Sequence, residues 1–199
     1  MARRLLDLLD YKMKTIGVDY SMTSPSICVH YGEEWSIRNC QFYFLTDRPK
    51  LEGKTNQFNG TLHPIHSCEE QRYDNISTWA MNIMYPVNAD RVVLEGYSFG
   101  STGRVFHIAE NIGLLKHKMW EAKIKFDVIA PTSIKKFATG KGNANKEKMQ
   151  EAFIAETSID VKLVLSQSEK QWSPSGDIVD SYFMCKYAHA LATTCVQPS

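Results

Sequence analysis

Apolar and polar positions divide the first part of the chain into short extended segments. Residues 14 to 19, residues 26 to 32 (SICVHYG) and residues 35 to 45 (WSIRNCQFYFL) are rich in β-branched and aromatic residues, a composition typical of strands. The short connections between them favour antiparallel pairing, with a hairpin between the first two. Three consecutive strands are therefore expected to open the domain.

Helical spacing then alternates with extended segments. Between Glu69 and Tyr85 the apolar positions recur every three to four residues, and Pro86 is expected to lie beyond the end of that helix. The segment RVVLE, which ends at Glu95, predicts a fourth strand. A second helix is expected between residues 102 and 123.

The last third of the chain completes the predicted fold. The segment KFDVIAP predicts a fifth strand that Pro131 ends, and a helix is expected from Ser175, as its N-cap, to about Thr194. Strands that alternate with helices after an opening meander are typical of an α/β fold with a mixed sheet. We predict five strands flanked by helices.

Residues 46 to 68 interrupt this pattern. They contain two prolines, two glycines and no sustained periodicity, so the sequence predicts a long loop or insertion there. With 199 residues and 43% apolar content, the chain is large enough for one well-buried domain. We therefore expect an N-terminal extension at residues 1–13 and a single domain at residues 14–195 that carries the insertion.

Overall charge and cysteine content limit the binding partners and the cellular location that the sequence predicts. The formal net charge is +1, so nucleic-acid binding would have to rest on local clusters of lysine. The five cysteines show no CxxC spacing and are expected to be reduced thiols. No export signal or membrane anchor is expected, which predicts the cytoplasm of a bacterium or of a phage-infected host.

Four acidic residues lie at the ends or starts of predicted elements. Asp19 and Glu95 end two apolar segments that predict buried strands, and Asp177 and Asp180 lie three residues apart at the start of the last helix. A carboxylate at the end of a buried strand is costly to desolvate unless a cation neutralises it. The three-residue spacing puts Asp177 and Asp180 on one helical face.

Taken singly, each of these acids has an ordinary structural explanation. Aspartate often ends a strand in a turn, and acidic residues are common in the first turn of any helix. Glu95 is harder to explain in this way, because glutamate is a poor strand residue. Together the four acids indicate a site for two Mg²⁺ or Mn²⁺ ions that activate water and stabilise the leaving oxygen of a phosphodiester.

A lysine-rich segment is the second indication of nucleic-acid chemistry. From Ser133 to Lys148 there are five lysines and one acid, Glu147, a local excess of four positive charges. Gly140, Gly142 and Asn143 add a flexible turn whose amides could face a phosphate, and Asn145 could cap a helix that begins near Lys146. The alternative is a solvated loop whose lysines serve solubility.

Two aromatic residues follow Glu95 directly. Tyr97 and Phe99 lie among small, flexible residues in GYSFGSTGR, where their rings could stack on unpaired bases at a branch point. One of them could equally pack under the loop as part of the core. The sequence leaves both interpretations open.

The segment APTSIKKFATGKGNANKEKM resembles that of the RuvC-type Holliday junction resolvases of the RNase H-like superfamily, and the resemblance spans residues 14 to about 192. The family's four metal-binding acids correspond to Asp19, Glu95, Asp177 and Asp180. The resemblance assigns the basic residues near the scissile phosphate to Lys135 and Lys146, and the family's aromatic residue corresponds loosely to Phe99. The expected DNA-binding residues are Tyr97, Phe99, Lys135, Lys136, Lys141 and Lys146.

The resemblance implies a crossover junction endodeoxyribonuclease that acts in DNA recombination and repair, with two Mg²⁺ or Mn²⁺ ions and branched DNA as its partner. It also implies a homodimer that cuts two strands symmetrically. The chain departs from the family in two places: Tyr20, Ser21 and Met22 replace the usual Pro-Gly-Ser, and residues 46 to 68 look inserted. The substrate range is therefore open.

Three alternatives remain. The chain could be a broader debranching nuclease for flaps and forks, or a catalytically silent DNA-binding module. It could also be an actin-like or sugar-kinase ATPase, since those folds begin with a strand that ends in Asp. The presence of all four acids argues against a silent module, and the lack of a second glycine-rich phosphate segment argues against the ATPase.

Overall fold

The protein is built on one mixed sheet, seen in a computed structural model that describes residues 13–96 and 105–194. The strands are β1 (Lys14–Asp19), β2 (Ser26–Tyr31), β3 (Cys40–Thr46), β4 (Gly53–Thr55), β5 (Phe58–Leu62), β6 (Arg91–Glu95) and β7 (Phe126–Ile129). Their order across the sheet is β4-β5-β3-β2-β1-β6-β7. The sheet thus has seven strands within the described residues, where the sequence pattern predicted five.

The strand directions bring the C-terminal ends of several strands together along one side of the sheet. Strands β1, β6 and β7 pair in parallel, as do β3 and β5, while β2 runs antiparallel to both β1 and β3. Five strands therefore point the same way, and their carboxyl ends meet at one edge, the position where α/β sheets carry their sites. We call it the carboxyl edge.

The two additional strands come from residues 46 to 68, and the prediction of a loop there was wrong. A 3₁₀ turn at Pro49–Leu51 leads into β4, which pairs with β5 as a short hairpin, and β5 then pairs in parallel with β3. Gly60, which suggests a loop in the sequence, is required in the strand by close packing. A Cβ there would lie 1.9 Å from the carbonyl oxygen of Leu51, so only glycine fits.

Six α-helices complete the described part of the chain. They are α1 (Glu69–Val87), α2 (Val105–Glu121), α3 (Pro131–Thr139), α4 (Lys146–Thr157), α5 (Val161–Val164) and α6 (Ser175–Thr194). A 3₁₀ turn at Ile37–Asn39 precedes β3, so the third strand starts later than predicted. The last helix has the predicted bounds.

Three local predictions were wrong for identifiable reasons. Pro86 lies inside the last turn of α1, and the helix ends at Val87, followed by the capping residue Asn88, whose backbone is left-handed. Helix α3 was not predicted, although Pro131 suits a first helical position and Gly140, with a φ of 77°, suits a helix end. Ser175 is the first residue of α6, and its hydroxyl donates to the carbonyl of Trp172.

Helices cover both faces of the sheet. Helices α1 and α2 pack on one face over a core that includes Ile16, Val18 and Leu115. Helices α4 and α6 pack on the other, over a core that includes Phe42, Phe153 and Tyr182. Helix α6 therefore crosses the centre of the sheet, above β1.

Candidate active site

Two acidic residues end neighbouring strands at the carboxyl edge. Val18 of β1 is paired with Leu94 of β6, so the residues that follow them, Asp19 and Glu95, end the two strands side by side. Asp19 is only 6% exposed. Gly96 follows, and its N–H donates to the carbonyl of Ile129 at 2.8 Å. Both strand ends that were expected to carry carboxylates do so.

Helix α6 brings two further acids to the same place. It lies directly on β1 because Gly17 has no side chain: a Cβ there would be 2.1 Å from the backbone nitrogen of Cys185. Closer to the site, the hydroxyls of Ser26 and Ser181 are hydrogen-bonded at 3.0 Å. Asp177 and Asp180 in the first turns of α6 thus face the strand ends, and we call Asp19, Glu95, Asp177 and Asp180 the acid cluster.

Burial, together with repulsion from neighbouring carboxylates, raises the pKa of Asp19 and of Asp180. Burial raises the pKa of Asp19 well above its ordinary value, and the three other carboxylates raise it further. Burial also raises the pKa of Asp180 to about 7, with Glu95 as the next largest cause. The pKa of Glu95 is likewise about 7, because burial outweighs the lowering effect of Lys135. Without a cation, the cluster therefore holds protons near neutral pH.

Asp177 differs from the other three because two hydroxyls contact it. Ser24, in the connection between β1 and β2, and Ser173, just before α6, both donate to its Oδ2. Burial raises the pKa of Asp177, while these two hydrogen bonds and Lys146 lower it. The sequence analysis did not identify either serine, because neither is part of a periodic pattern or motif.

Two of the predicted lysines reach the acid cluster. Lys146 is the first residue of α4, capped by Asn145 as expected, and its ammonium lowers the pKa of Asp19, Asp177 and Asp180. Lys135 is on α3 and lowers the pKa of Glu95 and Asp180.

Of the four remaining predicted DNA contacts, two lie in the described part of the chain. The side chains of Lys136 and Lys141 are exposed. Tyr97 and Phe99 lie outside the described residues.

The donor set suits a hard divalent cation. Carboxylate oxygens are the ligands that Mg²⁺ and Mn²⁺ favour, and a cation would relieve the cost of burying several like charges. Across residues 13–96 and 105–194, no three His, Cys, Asp or Glu side chains are already arranged to hold one ion. Carboxylates without a counter-ion repel one another. The residues fit such an ion in chemistry and charge.

Other sequence expectations concern the rest of the chain. Cys28, Cys40, Cys68 and Cys185 are free thiols, as predicted, and Cys195 is outside the described part. Among the helices that the structure describes, none is both long and apolar enough to cross a bilayer.

Solved structures with the same architecture decide the fold. Thermus thermophilus RuvC superposes with a TM-score of 0.58 at 15% identity, covering 94% of this chain and 100% of that one. The chain has the RNase H-like fold of the RuvC-type resolvases. T. thermophilus RuvC in complex with Holliday junction substrate gives 0.58 at 15% identity, with 92% and 97% covered. The yeast mitochondrial Holliday junction resolvase Ydc2 gives 0.55 at 12% identity, with 98% and 91% covered.

Sequence comparison adds nothing to this RNase H-like assignment. No protein-family model matches the chain, and no curated protein sequence matches it. The fold shared with the solved resolvases confirms the resemblance that the motifs indicated.

Proposed function

We propose that this chain is a divalent-metal-dependent endonuclease that cuts branched DNA, above all four-way junctions, by hydrolysis of phosphodiester bonds. The observation that carries the proposal is the acid cluster at the carboxyl edge, where two strand ends and one helix start bring four carboxylates together beside two lysines. Its carboxylates, one buried and three half-buried, are costly to maintain without a function that uses them.

Asp19, Glu95, Asp177 and Asp180 would hold the metal, which we propose to be two Mg²⁺ or Mn²⁺ ions. When bound, such ions supply Lewis-acid activation of water and stabilisation of a leaving oxygen. The protein's contribution is to hold oxygen ligands of the right charge at one edge of a rigid sheet.

Lys135 and Lys146 are proposed as the residues that balance negative charge on the phosphate under attack. Their ammonium groups already act on the acid cluster from α3 and α4. A positive group fixed beside the reacting phosphate stabilises the charge that develops on its oxygens. Lys136 and Lys141, which are exposed on the same segment, would contact the DNA backbone at a greater distance.

The proposed substrate rests on the solved structures that share this fold. One structure with this fold is a complex with Holliday junction substrate, and another is a yeast mitochondrial Holliday junction resolvase. Four-way junctions have two-fold symmetry, so a homodimer with two acid clusters would suit paired cuts. The proposed role is in DNA recombination and repair, and the proposed location is the cytoplasm of a bacterium or of a phage-infected host.

One assay tests substrate, cofactor and reaction together. The purified chain is incubated with a labelled immobile four-way junction, a flap, a fork and a matched linear duplex, each with and without Mg²⁺. We expect Mg²⁺-dependent cutting of the junction in preference to the duplex. Equal cutting of flaps and forks would favour a broader debranching nuclease, and binding without cutting in either Mg²⁺ or Mn²⁺ would favour a silent DNA-binding module.

A further inference from the structure

The connection between β1 and β2 contributes a side chain to the acid cluster. This connection begins at Tyr20, where the chain departs from the family pattern. Ser24 within it is only 4% exposed, and its hydroxyl donates to Oδ2 of Asp177. The two residues are 153 positions apart in the sequence, so the contact is made by the fold alone.

A second hydroxyl reaches the same carboxylate oxygen from another segment. Ser173, four residues before Asp177, also donates to Oδ2, and its hydroxyl contacts that of Ser24. Two donors on one oxygen restrict the rotation of the carboxylate far more than either would alone.

The backbone that carries Ser24 is held on three sides. The hydroxyl of Ser21 accepts from the N–H of Ser24 at 3.0 Å, which closes a local turn. Two carbonyls of the connection are held by helix α1 and by the segment after β5: Met22 accepts from Arg72 at 2.9 Å, and Thr23 contacts His63 Nε2 at 2.8 Å. Ser24 is thus presented by a braced segment.

Ser173 is braced as well. The side-chain amide of Gln167 donates to the carbonyl of Ser173 at 2.7 Å. Arg48, just after β3, donates to Gln171 Oε1 at 2.7 Å, which ties this segment to the carboxyl edge. Both hydroxyls are therefore in place before any ligand arrives.

We propose that Ser24 and Ser173 are positioning residues that fix the Asp177 carboxylate for a divalent cation by committing its Oδ2 to two hydroxyl donors. The inference rests on the proposed function, since it assigns the serines to the metal site of that nuclease. Loss of a group that orients a metal ligand typically costs about 10- to 100-fold in metal affinity or activity.

The test measures cation binding without DNA or cutting. The full chain is titrated with Mn²⁺, and free Mn²⁺ is followed by electron paramagnetic resonance for wild type, Ser24→Ala, Ser173→Ala and the double variant. We expect about ten-fold weaker Mn²⁺ binding in each single variant and a larger loss in the double variant. Ser173→Thr, which keeps a hydroxyl, should bind like wild type.

A matched control and a coupling test separate positioning from general structural damage. Ser175→Ala removes a neighbouring hydroxyl that contacts the carbonyl of Trp172, and it should leave Mn²⁺ affinity unchanged. In an Asp177→Asn background, Ser24→Ala should weaken Mn²⁺ binding no further, because a residue that acts through Asp177 has nothing left to orient.

The outcomes separate this inference from the proposed function. If wild type cuts junctions with Mg²⁺ while both alanine variants bind Mn²⁺ like wild type, the serines are structural only and the inference is overturned. Additive losses in the Asp177→Asn background would overturn it too. If wild type cuts no branched DNA while Mn²⁺ binding depends on the serines as expected, the nuclease proposal fails and the positioning of Asp177 stands.

Discussion

Asp19 and Glu95 lie side by side at the ends of two hydrogen-bonded parallel strands, one step beyond the paired residues Val18 and Leu94. Two carboxylates in this position raise each other's cost of ionisation, which burial has already increased. The geometry is unfavourable for a protein without a cation and favourable for one that binds it.

The first prediction concerns the separation of cutting from binding. Asp19→Asn removes a charge from the centre of the acid cluster, so cutting of an immobile junction should fall by about 100- to 1,000-fold or more. Junction affinity, measured by gel shift in EDTA, should stay within about three-fold, because DNA binding depends mainly on lysine and phosphate. Asp47→Asn, at an exposed aspartate after β3, is the control and should cut like wild type. An equal loss of affinity and cutting in Asp19→Asn would contradict the proposal.

The second prediction concerns stability and pH in the metal-free protein. The pKa of Asp180 is about 7 in the folded state, above its ordinary value of 3.8. The folded state therefore binds more protons than the unfolded state between about pH 4 and pH 7, and this group's contribution to stability is lost as the pH rises through that window. Asp180→Asn, which carries no charge at any pH, should escape this loss.

The measurement is the melting temperature of Asp180→Asn minus that of wild type, in EDTA, from pH 5 to pH 8. The difference should grow by about 3 to 6 °C, as about 1 to 2 kcal/mol gives for a chain of this length. The variant is compared with wild type because His30 changes the pH dependence of both proteins in the opposite direction. Burial lowers the pKa of His30 to about 4, so His30 destabilises the folded state as the pH falls. A melting-temperature difference that does not change with pH, as expected for Asp47→Asn, would contradict a raised pKa for Asp180 in the folded state.

The third prediction concerns Lys146. Its ammonium lowers the pKa of three members of the acid cluster, so Lys146→Ala should leave fewer of them ionised and the phosphate less compensated. Cutting should fall by about 10- to 100-fold.

Lys148→Ala is the matched control for this change. The two positions are about 200° apart around α4, and Lys148 pairs with Glu151 at 2.5 Å. Single-turnover cutting rates at saturating enzyme compare the variants without interference from affinity. Equal losses in both variants would indicate general phosphate attraction and remove the specific role of Lys146.

Much of the acid cluster could be predicted from the sequence because two of its members end buried apolar segments and the other two share one face at the start of a helix. A carboxylate directly after VVL, and another pair at helical spacing, stand out against an apolar background. The serines on Asp177 carry no such signal. Ser24 and Ser173 lie in irregular segments, and only the folded sheet brings them together.

The missed strands have a different cause. In β4 and β5 the sequence pattern is short and contains glycine, which weakens any strand prediction. The turn between them did carry a signal, since Asn56 takes up a left-handed backbone with a φ of 54°. Gly60 reads as a loop residue in the sequence, whereas the fold requires it for close contact with the backbone of Leu51.

The last prediction concerns the contact that holds α6 against the sheet. Gly17→Ala would place a Cβ 2.1 Å from the backbone nitrogen of Cys185, and backbone cannot yield as a flexible side chain can. Helix α6 would have to move away from β1 and take Asp177 and Asp180 away from Asp19. The melting temperature should fall by about 5 °C or more, for a cost of about 2 to 3 kcal/mol. Mn²⁺ affinity should fall as well.

Gly113→Ala is the control for this change. A Cβ at Gly113 would meet open space on α2, so this variant should match or exceed the stability of wild type and keep its Mn²⁺ affinity. If Gly17→Ala melted with wild type and bound Mn²⁺ normally, the position of α6 would not depend on this contact.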